Sequence, residues 1–132
     1  MLTDLEPVEN FGNYETGALR VNTRPYSDAL YQFPGCTEKH SVTYQLDRRY
    51  DHFEATVGPS DGSLSGYTVF FSVTVDSREV PEEQVAVGES RMIRVGVSGG
   101  YRMTLSVIGA RPDGCPGRLT AAWAEPKLSA AS

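Results

Sequence analysis

The chain has 132 residues and a formal net charge of −5, and 39% of its residues are hydrophobic. These values are typical of one soluble globular domain and exclude both a disordered chain and a chain that spans a membrane. Lys and Arg are scattered without a basic patch, so nucleic acid and anionic lipid are disfavoured as partners. We expect one domain over residues 1–132, monomeric and excised from a larger secreted or surface protein.

Alternation of apolar and polar residues with a period of two dominates the sequence and predicts β-strands. In chain order, the clear strand candidates are 41–46, 52–57, 67–75, 93–98 and 101–107, and the weaker ones are 18–22, 84–87 and 119–124. No window of helical length carries an apolar stripe, and the best helical candidate, 81–84, would supply only a turn or two. Many short strands separated by Gly, Pro and Asp predict an all-β fold, an antiparallel sandwich or barrel.

Two strands predict the composition of the core. In 67–75, Val69, Phe71 and Val73 share one face, which we expect to be buried with Phe53 and Leu105 among its neighbours. Trp123 is the only tryptophan, and it alternates with alanines in a terminal strand. That pattern favours burial of the indole over a role as a sugar-stacking platform.

Only two cysteines are present, Cys36 and Cys115, and both lie in turn-rich stretches without metal-site spacing. We predict that they form a disulfide, which indicates an oxidising, extracytoplasmic compartment. Closing so long a loop should stabilise the domain by about 4 kcal/mol in the chain-entropy model. Thiol titration of the unfolded, non-reduced protein should find no free thiol, and two free thiols would refute the pairing.

Several segments, taken in order, resemble the novel putative carbohydrate-binding module (NPCBM) family. These segments are Leu2–Val8, Glu15–Asn22 with Pro25-Tyr26, Val42–Leu46, Arg49-Tyr50, Phe53–Gly58, Val69–Val73 and Trp123–Leu128. The chain departs from the family pattern at 58–62, where paired acids are common, and at Asp76-Ser77, where Asp-Gly is common. Both departures lie in loops and concern ligand specificity more than the fold.

The resemblance implies a jelly-roll β-sandwich of the galactose-binding-domain type, on a secreted or cell-surface protein. It implies a non-catalytic module that binds a glycan, such as a galactose-type or cell-wall sugar, through loops of the sandwich. The alternative is an extracytoplasmic protein-interaction or structural module without a sugar ligand.

Ligand-binding residues are expected in the N-terminal third of the chain. Before Val42 the aromatic residues break the alternation and are mixed with Asn, Arg and Gln, so packing alone explains them less well. Rings and hydrogen-bonding side chains on loops are what sugar recognition needs. The candidate ligand-binding residues are Tyr14, Arg20, Asn22, Tyr26 and His40.

The sequence also contains candidates for two further kinds of site. Calcium prefers hard oxygen ligands, and some relatives of the family carry a structural calcium, so Asp4 and Glu125 are candidate ligands if the two terminal segments meet. No other cofactor is expected.

The stretch 58–62 fits the G-x-S-x-G pattern of a hydrolase, but that motif needs a helix directly after the serine, and here another strand follows. We therefore expect no catalytic residues.

Overall fold

The computed structural model describes residues 2–34, 39–63, 66–110 and 119–130. A 3-10 turn at Leu2–Asp4 is followed by eleven strands: β1 (Glu9–Phe11), β2 (Tyr14–Val21), β3 (Arg24–Gln32), β4 (His40–Gln45), β5 (Tyr50–Pro59), β6 (Thr68–Val75), β7 (Arg78–Glu79), β8 (Glu83–Ala86), β9 (Arg91–Gly96), β10 (Arg102–Ala110) and β11 (Ala121–Ala130). Cys36 and Cys115 lie outside the described residues, so their pairing stays a prediction.

The strands form two antiparallel sheets that pack face to face, as predicted for an all-β sandwich. Sheet A has the order β1-β4-β10-β6-β7, with β8 also paired to β6, and sheet B has the order β2-β3-β11-β5-β9. Each strand candidate from the alternation corresponds to an observed strand, including the weaker ones at β2, β8 and β11. The helical candidate at 81–84 is wrong, because Glu83–Ala86 pairs with β6 as a strand.

One hydrophobic core lies between the sheets, and the predicted faces are correct. Along β6, residues alternate between buried and half-buried, and Val69, Phe71 and Val73 are on the buried side. Trp123 is fully buried, with its ring centroid 5.2 Å from that of Phe71 in an edge-to-face contact. Its indole N–H donates to Gln32 Oε1 at 2.8 Å, which satisfies the one polar atom that burial would otherwise penalise.

A second, smaller cluster lies on the outer face of sheet B and explains why the N-terminal third does not alternate. It contains Val21 and Tyr26 from the β2–β3 hairpin, together with Ala29, Ala122 and Ala124. The pairing of β2 with β3 shifts register between Gly17 and Leu19, so the hairpin bends there. The far half of the hairpin thus folds back across its own sheet, and β3 has apolar neighbours on both faces.

Candidate functional site

The tip of the β2–β3 hairpin is a tight turn held against the β5 side of sheet B. Asn22 and Thr23 have φ values of 50° and 66°, the left-handed conformation that two-residue hairpin turns require. Val21 bridges to Ser60, the residue after β5. A Cβ on Gly58 would lie 2.8 Å from Val21 Cγ1, so the absence of a side chain at this position allows the hairpin tip to approach.

Asp61 stabilises the hairpin tip through hydrogen bonds made by its backbone N–H and by its carboxylate. The Thr23 N–H donates to Asp61 Oδ2 at 2.9 Å, and the Asp61 N–H donates to the Arg20 carbonyl at 2.9 Å. The Arg20 guanidinium donates to the Thr23 carbonyl at 2.8 Å, and its Nε lies 4.0 Å from Asp61 Oδ2. Because the ion pair is largely exposed, it is worth little by itself. The hydrogen bonds fix the conformation of the turn.

A shallow cleft of about 280 Å³ lies between the hairpin tip and the turn that joins β8 to β9. Asn22 forms one wall, and residues 88–91 form the other. Asn22 Nδ2 donates to Ser90 Oγ at 3.3 Å, so a side-chain contact joins the two walls. The Ala86 N–H donates to Glu89 Oε1 at 3.2 Å, which orients that carboxylate.

The lining of this cleft offers every hydrogen-bonding type that a polyhydroxylated ligand uses. The Asn22 amide both donates and accepts, the Glu89 carboxylate accepts, the Ser90 hydroxyl does both, and the Arg91 guanidinium donates. These side chains are held on short turns of a rigid sandwich, the usual arrangement of binding residues. The arrangement suits binding, and none of the described residues that line the cleft is aromatic.

The sequence pattern indicates the residue on one wall of the cleft and does not indicate the residues on the other wall. Asn22 was expected from the mixture of polar and aromatic residues before Val42, whereas Glu89, Ser90 and Arg91 follow Gly88 in an ordinary polar turn. That turn is the only feature of the sequence that could have indicated these three residues. Nothing local in the sequence indicates that the hairpin folds back to reach it.

Tyr26 supports the hairpin from beneath. Its ring is only 7% exposed and packs with Val21 and Ala29, and the Arg24 guanidinium carbon lies 5.6 Å from the ring centroid. This distance is typical of a cation–π contact, which places the guanidinium over the ring. Tyr26 therefore shapes the hairpin and offers no stacking surface to a ligand in this conformation.

Tyr14 and His40 lie apart from the hairpin tip. Tyr14 packs against the main core between the sheets, on the side of sheet B opposite to the Tyr26 cluster. Burial, with smaller effects from Tyr14 and Glu6, raises the pKa of the neighbouring Tyr44 phenol. The His40 ring lies against Gly12 and in an edge-to-face contact with Phe11, at a centroid distance of 6.3 Å. Of the five expected residues, only Arg20 and Asn22 lie at the hairpin tip, and Tyr26 is buried beneath it.

The two candidate calcium ligands lie in elements that meet. The 3-10 turn containing Asp4 contacts both β3 and β11, and Glu125 lies at an irregularity in β11 with a φ of 49°. In the described ranges, no group of three or more His, Cys, Asp or Glu side chains could hold a metal ion. Calcium at this junction stays a prediction that rests on two residues.

Ser60, in the middle of the G-x-S-x-G stretch, has a structural position. Its side chain is buried, and its Oγ lies 3.4 Å from Ser63 Oγ. The Thr120 N–H donates to Ser63 Oγ at 2.9 Å, and the Ser60 N–H donates to the Thr120 carbonyl at 2.8 Å. These bonds attach the end of β5 to the start of β11.

In the part of the chain that the structure describes, no helix has the length and apolarity to cross a membrane.

Solved structures share this fold. The M60 catalytic domain with the CBM51-1 and CBM51-2 domains from Clostridium perfringens ZmpB matches with a TM-score of 0.79 and 22% identity, over 99% of this chain and 15% of that one. CBM51 from Clostridium perfringens GH95, in complex with methyl-galactose, matches with a TM-score of 0.73 and 19% identity, over 97% of each chain. CBM51-2 with GlcNAc and INT domains of ZmpB matches with a TM-score of 0.77 and 19% identity, over 100% of this chain and 32% of that one.

At these identities the structural likeness establishes the galactose-binding-like jelly roll, and the first match shows that the fold occurs within a much longer chain. No curated protein sequence matches this chain. The family model described as the NPCBM/NEW2 domain matches residues 4–129, nearly the whole sequence. The chain therefore belongs to the NPCBM/NEW2 domain family.

Proposed function

We propose that this domain is a non-catalytic carbohydrate-binding module that holds one sugar unit of a glycan in the cleft between the hairpin tip and the β8–β9 turn. The observation that carries the proposal is the cleft itself, in which Asn22, Glu89, Ser90 and Arg91 converge on about 280 Å³. Three structural neighbours support the ligand class: one is in complex with methyl-galactose, one with GlcNAc and one with β-1,4-galactotriose.

The shallow shape of the cleft favours weak, reversible recognition. A few hydrogen bonds made in competition with water should give a dissociation constant of about 0.1–1 mM for a single sugar unit. Such a module acts by keeping a larger protein close to its glycan, where several weak contacts add through avidity. We further propose an extracytoplasmic location, which the Cys36–Cys115 prediction and the family membership support.

Replacing Asn22 with alanine should weaken binding of the best glycan-array hit by about 5- to 10-fold, because losing one or two hydrogen bonds to the ligand costs about 1 kcal/mol. Affinity would be measured by isothermal titration calorimetry. The matched control is Asn13→Ala, an exposed asparagine in the connection between β1 and β2, outside the cleft lining. Loss of binding in N13A with unchanged binding in N22A would move the site from the hairpin tip to the connection between β1 and β2.

One observation favours the second candidate function, a protein-interaction module. Met92 is 80% exposed on β9, an edge strand of sheet B, and an apolar side chain at the edge of a sheet suits a protein partner. A glycan array without any hit across broad glycan classes would favour this candidate over carbohydrate binding.

A further inference from the structure

A second cavity, of about 400 Å³, lies on the outer face of sheet A, on the opposite side of the sandwich from the hairpin tip. Its floor is formed by side chains of β6 and β10, among them Ser72, Thr74 and Ser106. These strands are central in the sheet, so the floor is rigid and does not depend on a loop conformation. None of its lining residues belongs to the cleft at the hairpin tip.

The floor belongs to two rows of hydroxyl groups that cross the sheet. In the first row, Ser41 on β4 is opposite Ser106 on β10, which is opposite Ser72 on β6. In the second row, Thr43, Thr104 and Thr74 have the same relation. Adjacent strands are about 4.8 Å apart, so each row spans about 10 Å. Ser106 and Thr43 are buried, and the Thr43 and Thr104 hydroxyls bond each other at 2.9 Å. The more accessible hydroxyls are those of Ser41, Ser72 and Thr74, which are half-buried.

The walls add charged groups of both signs. Lys39, just before β4, borders the cavity, and so do Glu79, at the end of β7, and Glu82, just before β8. Phe11, 57% exposed on β1, is opposite Ser41 and extends the serine row to the edge of the sheet. The groove therefore combines a hydroxyl floor, donors and acceptors on its sides and an exposed aromatic ring at the end of one row.

We propose that this groove is a second carbohydrate-binding surface, which takes several consecutive units of an uncharged oligosaccharide. The groups in the groove match the donor and acceptor character of sugar hydroxyls, and Phe11 offers a face for the apolar side of one sugar ring. A row of hydroxyls that spans three strands suits an oligosaccharide of several units better than a single sugar unit. The inference rests on the proposed ligand class and is independent of the cleft at the hairpin tip.

The test compares Thr74→Val with wild type, using a panel of neutral oligosaccharides that includes β-1,4-galactotriose, and the corresponding monosaccharides. Valine keeps the branched shape of threonine and replaces its hydroxyl with a methyl group. The matched control is Thr68→Val, on the same face of β6 but outside the cavity lining. Amide chemical-shift mapping and calorimetric affinities would be recorded for all three proteins.

We expect at least one oligosaccharide to shift the amides of residues 72–74 and 104–106 in wild type, while its monosaccharide leaves them unmoved. T74V should weaken binding of that oligosaccharide by about 3- to 10-fold, and T68V should not. If no oligosaccharide of the panel shifts these amides, the inference is wrong. In that case shifts confined to residues 22 and 88–91 would leave the proposed function intact, and a panel without any shift would contradict both.

Discussion

Replacing Phe71 with alanine should lower the free energy of unfolding by about 3–5 kcal/mol. Phe71 is 2% exposed and makes the edge-to-face contact with Trp123, so truncation opens a cavity where the two sheets meet. A loss of this size is a large part of the stability of a domain this small. Urea unfolding followed by tryptophan fluorescence would measure it, because Trp123 is the only tryptophan in the chain.

The neighbouring phenylalanine provides the control. Phe70 lies on the outer face of the same strand and is only half-buried, so F70A should cost clearly less than F71A. A loss below about 1 kcal/mol for F71A, or a larger loss for F70A, would contradict the assignment of the two faces of β6.

Replacing Gly58 with alanine should displace the hairpin tip and weaken glycan binding by about 10-fold or more, because ligand groups misplaced by about 1 Å lose their hydrogen bonds. The added Cβ would lie 2.8 Å from both the Glu89 carbonyl oxygen and Val21 Cγ1. Both walls of the cleft would therefore have to move. The unfolding free energy should fall by about 1–3 kcal/mol, the usual cost of overpacking. Calorimetry with an array hit and urea unfolding would measure the two effects.

Gly96 on β9 is the matched control, since it is also a strand glycine and a Cβ there would meet none of the described residues within 4 Å. G96A should keep wild-type affinity and stability. If G58A binds the glycan as tightly as wild type does, the cleft at the hairpin tip is not the binding site.

The sequence was sufficient to predict the fold from Val42 onward because most strands there have one apolar and one polar face. The alternation in β6, for example, corresponds directly to its burial pattern. The alternation did not predict β3, because residues on both faces of this strand are buried and the sequence there does not alternate. The main core covers one face, and the bent hairpin covers the other. Burial on two sides removes the polar half of the pattern.

The candidate site was only partly predictable for a related reason. Arg20 and Asn22 could be singled out, but their contacts with Asp61 and Ser90 join residues far apart in the sequence. Those contacts exist because Gly58 and the alanines of sheet B leave room for the hairpin to fold back. Small residues in strands give no signal of what packs on them, so neither Glu89 nor Arg91 could be found without the structure.

The central claim is that the cleft between the hairpin tip and the β8–β9 turn binds sugar. Its most direct test is amide chemical-shift mapping with the terminal monosaccharide of a glycan-array hit. We predict saturable shifts centred on residues 22–23 and 88–91. Saturable shifts centred on the turns at 46–49 and 97–101, with residues 22–23 and 88–91 unmoved, would contradict it.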